Sequence, residues 1–207
     1  YSKGNSKKVP LNKPLSLEKV RLLHNLAKVN TLSDGETKTK AYLGVDVGSV
    51  STNVVVIDEG RILQTGPTPD VYHNPANTKV AEVFSDPPIN YLSCTVRNQT
   101  AQLGDDIEFP LIDHMQTLAA GQYIFGVRSN HLFLNQKNSD DSEIRTMVEL
   151  AEINGSETFI HVSYNGAKLV IQEDGVHPHR IGSEVSIYVN PCCFFAFDKK
   201  GALIASP

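Results

Sequence analysis

The residues best suited to chemistry fall in one short run, Gly44-Val45-Asp46-Val47-Gly48-Ser49-Val50-Ser51-Thr52. A carboxylate closing a β-branched stretch, followed by a Gly-Ser turn and more hydroxyls, can set N–H and O–H donors around a phosphate. Asp46 would then hold Mg²⁺ through water, with Gly48, Ser49, Ser51 and Thr52 forming the cradle. The same run also reads as a strand–turn–strand in which Gly and Ser serve turn geometry alone, and both readings stand. His177-Pro178-His179-Arg180 offers two ring nitrogens but no carboxylate or thiolate in register, so it reads as a surface turn and no metal site is expected. Cys192 and Cys193 are too close for an ordinary bridge, and Phe194, Phe195 and Phe197 place them in an apolar strand. With Cys94 alone elsewhere, the three thiols form no framework and read as reduced. Asp105-Asp106 and Asp140-Asp141 lie in turn-like segments and read as solvated. Arg128 and His131, near a strand end, are the best-placed ligand or partner contacts; a satisfied structural role suits them equally. No Ser/His/Asp spacing predicts a catalytic triad.

The elements that must position these residues follow from periodicity. Residues 1–14 read as a flexible lead-in. Leu17, Val20, Leu23 and Ala27 share one helical face, and Ser16 with Ser33-Asp34-Gly35 brackets a helix over about 16–30. Two β-branched runs, 42–47 and 53–58, predict strand, tight turn, strand, and Arg61–Gln64 extends the signal. Helical stretches are expected near Thr68–His73 and from Ala76 to about Phe84, before Asp86-Pro87-Pro88. From about Ile89 onward short apolar runs recur between glycines: 124–127, 158–162, 168–171, 185–189 and 194–197. That pattern predicts a mainly β fold of small barrels. Residues 135–142 read as a polar, mobile loop. The division expected is 1–41 lead-in and helix, 42–88 strand–turn–strand and helical connector, 89–207 β-barrel domain.

Composition narrows the function classes. Of 207 residues, 40% are hydrophobic and 20% charged, which suits a folded globular chain rather than a disordered one. A formal net charge of −4 argues against a dedicated nucleic-acid binder. No apolar run reaches the length of about 18 residues that spans a bilayer. No signal peptide is visible, and a cytoplasmic setting is expected.

Two resemblances sharpen these expectations. Residues 40–58, through Gly44-Val45-Asp46-Val47-Gly48-Ser49, resemble the first phosphate loop of actin/hexokinase/Hsp70-type ATPases, and most nearly the ATPase activators of 2-hydroxyacyl-CoA dehydratases. The second phosphate loop and cluster cysteines of that family have no counterpart after residue 58. A longer series resembles the segment after the nucleotide-binding domain in ATPase subunits of maltose/glycerol-phosphate/spermidine-class ABC importers. It comprises Gly60-Arg61-Ile62-Leu63-Gln64-Thr65-Gly66, Pro69-Asp70-Val71-Tyr72, Asn74-Pro75-Ala76-Asn77 and Pro88-Ile89-Asn90-Tyr91-Leu92. Gly126-Val127-Arg128 with His131-Leu132, Asn154-Gly155-Ser156-Glu157-Thr158, and Phe197-Asp198 with Gly201 follow in the same order. Ser85-Asp86 stand where that family usually has Ile-Gly, and Ser129-Asn130 where it has Pro-Glu.

The importer resemblance implies OB/SH3-like barrels of the transport-associated (TOBE) type, a homodimer formed through them, and membrane subunits engaged through an ATPase domain. A transporter ATPase also needs Gly-x-x-x-x-Gly-Lys-(Ser/Thr) to hold the β- and γ-phosphates, and no Gly-Lys-Ser/Thr occurs in these residues. The expectation is therefore a regulatory or binding module in solute import, with no cofactor of its own. Two alternatives remain. One is a fragment of the activator ATPase, binding ATP and Mg²⁺ through Asp46, Gly48, Ser49, Ser51 and Thr52. The other is a stand-alone OB-like binder of oligonucleotides or oligosaccharides.

Overall fold

Alternating burial along each strand shows how the sequence divides its side chains between core and solvent. The computed structural model describes residues 41–47, 52–58 and 61–207, all within one compact unit. The helix expected over 16–30 and the lead-in lie outside these residues.

β1 (Ala41–Val47), β2 (Thr52–Asp58) and β3 (Arg61–Pro67) form an antiparallel sheet with β2 in the middle. Val54 and Val56 of β2 are buried against Val71 of α1 (Thr68–His73) and Val80 of α2 (Thr78–Val83). Pro69 sits in the first turn of α1, where a missing N–H costs no helical bond. The Asn77 side chain caps α2, accepting from Val80 N at 3.0 Å. Asp58, buried at the end of β2, is ion-paired with Lys79 of α2. Both strands and both helices expected from the sequence are present, while the turn between the strands, residues 48–51, lies outside the described residues.

The remaining strands form two sheets. β4 (Asn90–Arg97), β5 (Thr100–Leu103), β6 (Ile107–Pro110), β7 (Gly121–Val127), β13 (Phe195–Phe197) and β14 (Leu203–Ala205) pair in the order β14-β13-β7-β4-β5-β6. β8 (Leu132–Phe133), β9 (Ser142–Asn154), β10 (Glu157–Tyr164), β11 (Ala167–Asp174) and β12 (Glu184–Val189) pair as β11-β10-β9-β12-β8. This second sheet curls until its edges meet, Leu134 N donating to Glu173 Oε1 at 2.7 Å, so it is a nearly closed barrel. The mainly β class expected from the sequence is the observed one.

A single core runs between these two sheets. Leu92, Val96, Leu103 and Phe125 from one meet Ile144, Ile160, Leu169 and Ile187 from the other. Phe109, Phe125 and Phe194 fill its centre, with ring centroids 5.5–6.4 Å apart. Asn90 joins the sheets through its amide, Nδ2 donating to Val170 O at 2.9 Å and Oδ1 accepting from Val170 N at 2.6 Å. The other face of the six-stranded sheet carries Phe195 and Phe197, which pack with Ile89 against Ala81 of α2. Gly201, at φ +85°, permits the return of the chain here. A Cβ on it would lie 2.7 Å from Thr78 Oγ1, and its carbonyl accepts from Thr78 N at 2.9 Å.

Three local readings are corrected. The 135–142 segment is tied down, because Asp141 is buried and accepts from Lys137 N and Asn138 N at 2.8 Å and from Asn190 Nδ2 at 3.2 Å. These hydrogen bonds hold its carboxyl below the usual range, outweighing the burial that acts the other way. Asp141 is therefore no solvated loop residue, although its neighbour Asp140 is exposed. Asp105 and Asp106 do lie exposed in a turn, as expected, where Asp106 and Leu103 O share the single proton of the Tyr164 hydroxyl. Cys192 and Cys193 stand on a single 3-10 turn, Pro191–Cys193, ahead of β13, because Pro191 and the Asn190 side chain start that turn. The Cys192 thiol donates to Asp113 Oδ2 at 2.9 Å, and that bond, with burial, lifts it to about 11.

Candidate functional site

Several polar residues converge where β7 ends. Phe125 and Val127 are buried on this strand, and its other face is packed tightly at position 126. A Cβ on Gly126 would meet Phe197 at 3.0 Å and Ile89 at 3.1 Å. The next residue, Arg128, turns back over the helical connector. One terminal nitrogen donates to Phe84 O at 3.0 Å and to Ser85 Oγ at 2.5 Å, and the other donates to Tyr72 O at 2.8 Å. Its guanidinium lies 3.8 Å from the centre of the Tyr72 ring and 5.4 Å from that of Phe195. Arg128 is 5% exposed, and burial lowers its pKa.

Beyond Arg128 the chain makes a 3-10 turn, Ser129–His131, closed by His131 N donating to Arg128 O at 3.0 Å. Arg128 and His131, both singled out from sequence, thus lie on either side of one turn. Burial and then the Arg128 charge push the His131 imidazole below its usual range, so it is neutral near pH 7. A half-open cleft of about 70 Å³ runs along this junction, lined among others by Ser85, Asp86, Arg128, Ser129, Asn130 and Gln172. Sequence spacing did not bring Tyr72, Ser85 and Gln172 to Arg128, since they lie far away along the chain. The available signal was the importer pattern itself, because both departures from it, Ser85-Asp86 and Ser129-Asn130, face this cleft.

The proposed phosphate run is described only in part. Asp46 pairs with Asn53 and Val47 with Thr52 at the end of the β1–β2 ladder. Gly48, Ser49 and Ser51 lie outside the described residues. Among the described residues, no three His, Cys, Asp or Glu side chains converge as metal donors would. His177 lies in irregular chain, its backbone N–H donating to Thr158 Oγ1 at 3.0 Å while Nε2 lies 2.8 Å from Asp174 O.

The chain is similar in sequence to proteins of one kind. An ABC transporter ATP-binding protein of Sinorhizobium fredii is 27% identical over 191 residues, covering 90% of this chain and 48% of that protein. The trehalose/maltose import ATP-binding protein MalK of Thermococcus litoralis is 26% identical over 191 residues, covering 87% of this chain and 51% of that protein. The relatives are ABC transporter ATP-binding proteins. The chain spans about half the length of these curated relatives. A solved structure of the cytoplasmic molybdate-binding protein ModG aligns with 52% of this chain and 94% of its own, at 15% identity and a TM-score of 0.40. No family model matches the chain. The resemblance of residues 40–58 to dehydratase activators has no support in these relatives.

The importer markers read from sequence have physical reasons in the fold. Gly126 is small because Phe197 and Ile89 crowd it. Asn154-Gly155-Ser156-Glu157 turns β9 into β10, with Gly155 at φ +65°. Asp198 Oδ1 accepts from Lys200 N and Ala202 N, which shapes the turn that Gly201 completes.

Proposed function

We propose that this chain is the regulatory and binding region of an ABC-type importer ATP-binding subunit. The observation that carries the reading is a match to such subunits over most of the chain, in residues that hold no lysine-bearing phosphate loop. The nearly closed β9–β12 barrel and the six-stranded sheet supply a rigid β frame, and loops on such a frame serve as contact surfaces. In this reading the β region forms a homodimer, Arg128 and His131 hold the contact surface in shape, and membrane subunits are engaged by an ATPase domain. The solute belongs to the sugar, glycerol-phosphate or polyamine class, and the region works in the cytoplasm at the inner face of the membrane.

Two measurements on the purified 207-residue chain test this. Sedimentation velocity across a concentration series is expected to show a monomer–dimer equilibrium. MgATP turnover is expected to match a blank. Saturable turnover abolished by Asp46→Ala would overturn the reading and return the chain to the nucleotide-hydrolysing class.

A further inference from the structure

We infer that the free edge of β9 beyond β12 is a docking site for an extended peptide segment in which basic and aliphatic residues alternate. β9 pairs with β10 as far as Asn154, but its pairing with β12 ends at Met147. Val148 N then donates to Ser183 O and Val148 O accepts from Gly182 N, and the chain before Gly182 makes no further backbone bond to β9 among the described residues. Asn154 and Glu157 flank a two-residue turn and exchange their bonds with each other, which directs the N–H and C=O of Ala151 and Ile153 away from β10. Among the described residues these four groups have no partner. Other strand edges are blunted. The Asn90 amide caps Val170 of β11, Ala76 O accepts from Leu203 N of β14, and β3 and β6 each close on a proline.

The two faces of this edge specify what pairs with it. Ala151 and Ile153 lie opposite Ile160 and Thr158, which face the barrel, so they present their side chains on that side. Ile153 is 52% exposed, and Ile181, next to Gly182, is 66% exposed. Glu152 lies on the outer face, and Glu184 stands on the same face opposite Met147, where the free edge begins. Neither carboxylate has a Lys or Arg within ion-pair distance among the described residues. His161 Nε2 lies 3.5 Å from Glu152, and Lys168 is occupied by Glu149 at 3.3 Å. Such an edge takes a strand with aliphatic residues opposite Ala151 and Ile153 and a Lys or Arg opposite Glu152. Leu150, 41% exposed on the outer face, offers the stem of that basic residue an apolar surface. A second copy fits less well, because the antiparallel register that uses both outward residues of each copy sets Glu152 against Glu152.

The inference does not rest on the importer reading. Its test is titration of the full chain with a short blocked peptide alternating valine and lysine, at physiological salt, followed by calorimetry and hydrogen exchange. Saturable binding with a Kd of about 1 mM or tighter is expected, with slower exchange at the Ala151 and Ile153 amides. Ile153→Pro removes an outward N–H and no β9–β10 bond, so it should keep the parent's Tm and weaken binding about tenfold or more. Glu152→Lys should reverse the preference, a valine–glutamate peptide then binding about tenfold tighter than the valine–lysine one, a gain that misfolding cannot imitate. The inference is overturned if the lysine peptide shows no saturation by about 10 mM, if Ile153→Pro binds it as the parent does, or if Glu152→Lys leaves the preference unchanged. Self-association of the parent that Ile153→Pro abolishes would also overturn it, by making a second copy the occupant.

Discussion

Replacing Arg128 by leucine tests how much of the fold depends on one buried guanidinium. The substitution leaves the carbonyls of Tyr72 and Phe84 without their donor. Each stranded acceptor costs about 1–3 kcal/mol when dry, and the lost contact with the Tyr72 ring about 1 kcal/mol more. Removing an uncompensated buried cation returns part of this. Ser85 loses least, because its hydroxyl still donates to Ala81 O at 2.9 Å. The net expectation is a loss of about 2–3 kcal/mol, which for a chain of this size lowers Tm by about 5–10 °C. Urea unfolding followed by circular dichroism gives the free energy, and hydrogen exchange locates it. Amides of α1, α2 and the turn after α2 should exchange faster, while β9–β11 keep their protection. A variant within about 0.5 kcal/mol of the parent, with unchanged exchange over residues 68–85, would refute the claim that Arg128 clasps the helical connector to the β-sheets.

Other outcomes follow from features described above. Asp141 has a depressed pKa, so its contribution is complete above its unfolded value and is lost as pH falls through the lower folded one. Acid unfolding below about pH 4 should accordingly be shallower in Asp141→Asn than in the parent, and the variant should be about 1–2 kcal/mol less stable at pH 7. Gly201→Ala meets both a positive φ and a Thr78 contact, and should cost about 1–3 kcal/mol by urea unfolding. The Cys192 thiol, raised to about 11 chiefly by its bond to Asp113, should alkylate at pH 8 about a hundredfold more slowly than a free cysteine. Asp113→Asn should recover most of that rate.

How far the sequence revealed this fold depends on whether a signal is local. The Val-rich β2, the Asn77-capped α2 and the strands near 158–162 and 168–171 all carried their own period or cap. β9 did not stand out, although at 13 residues it is the longest strand described. Its inner face carries Thr146 between Ile144 and Val148, and the register shift opposite β10 then breaks the alternation. Pairs of acidic residues looked alike in sequence, yet Asp141 is buried and Asp140 exposed. The difference comes from the Lys137 and Asn138 N–H groups that wrap the Asp141 carboxylate and from Asn190, 49 positions away. Arg128 was recognised by pattern, but its role was not, because its partners lie 43 to 56 residues earlier in the chain. Tertiary partnership of this kind leaves no periodic trace.

The Asn90 amide has a mechanical consequence. By gripping both the N–H and the C=O of Val170, it acts as a shear pin between the two β layers. Slippage of one layer over the other by a single position would break both bonds and leave a buried amide stranded. Sliding of the layers is therefore opposed at this point by two hydrogen bonds of one side chain at once.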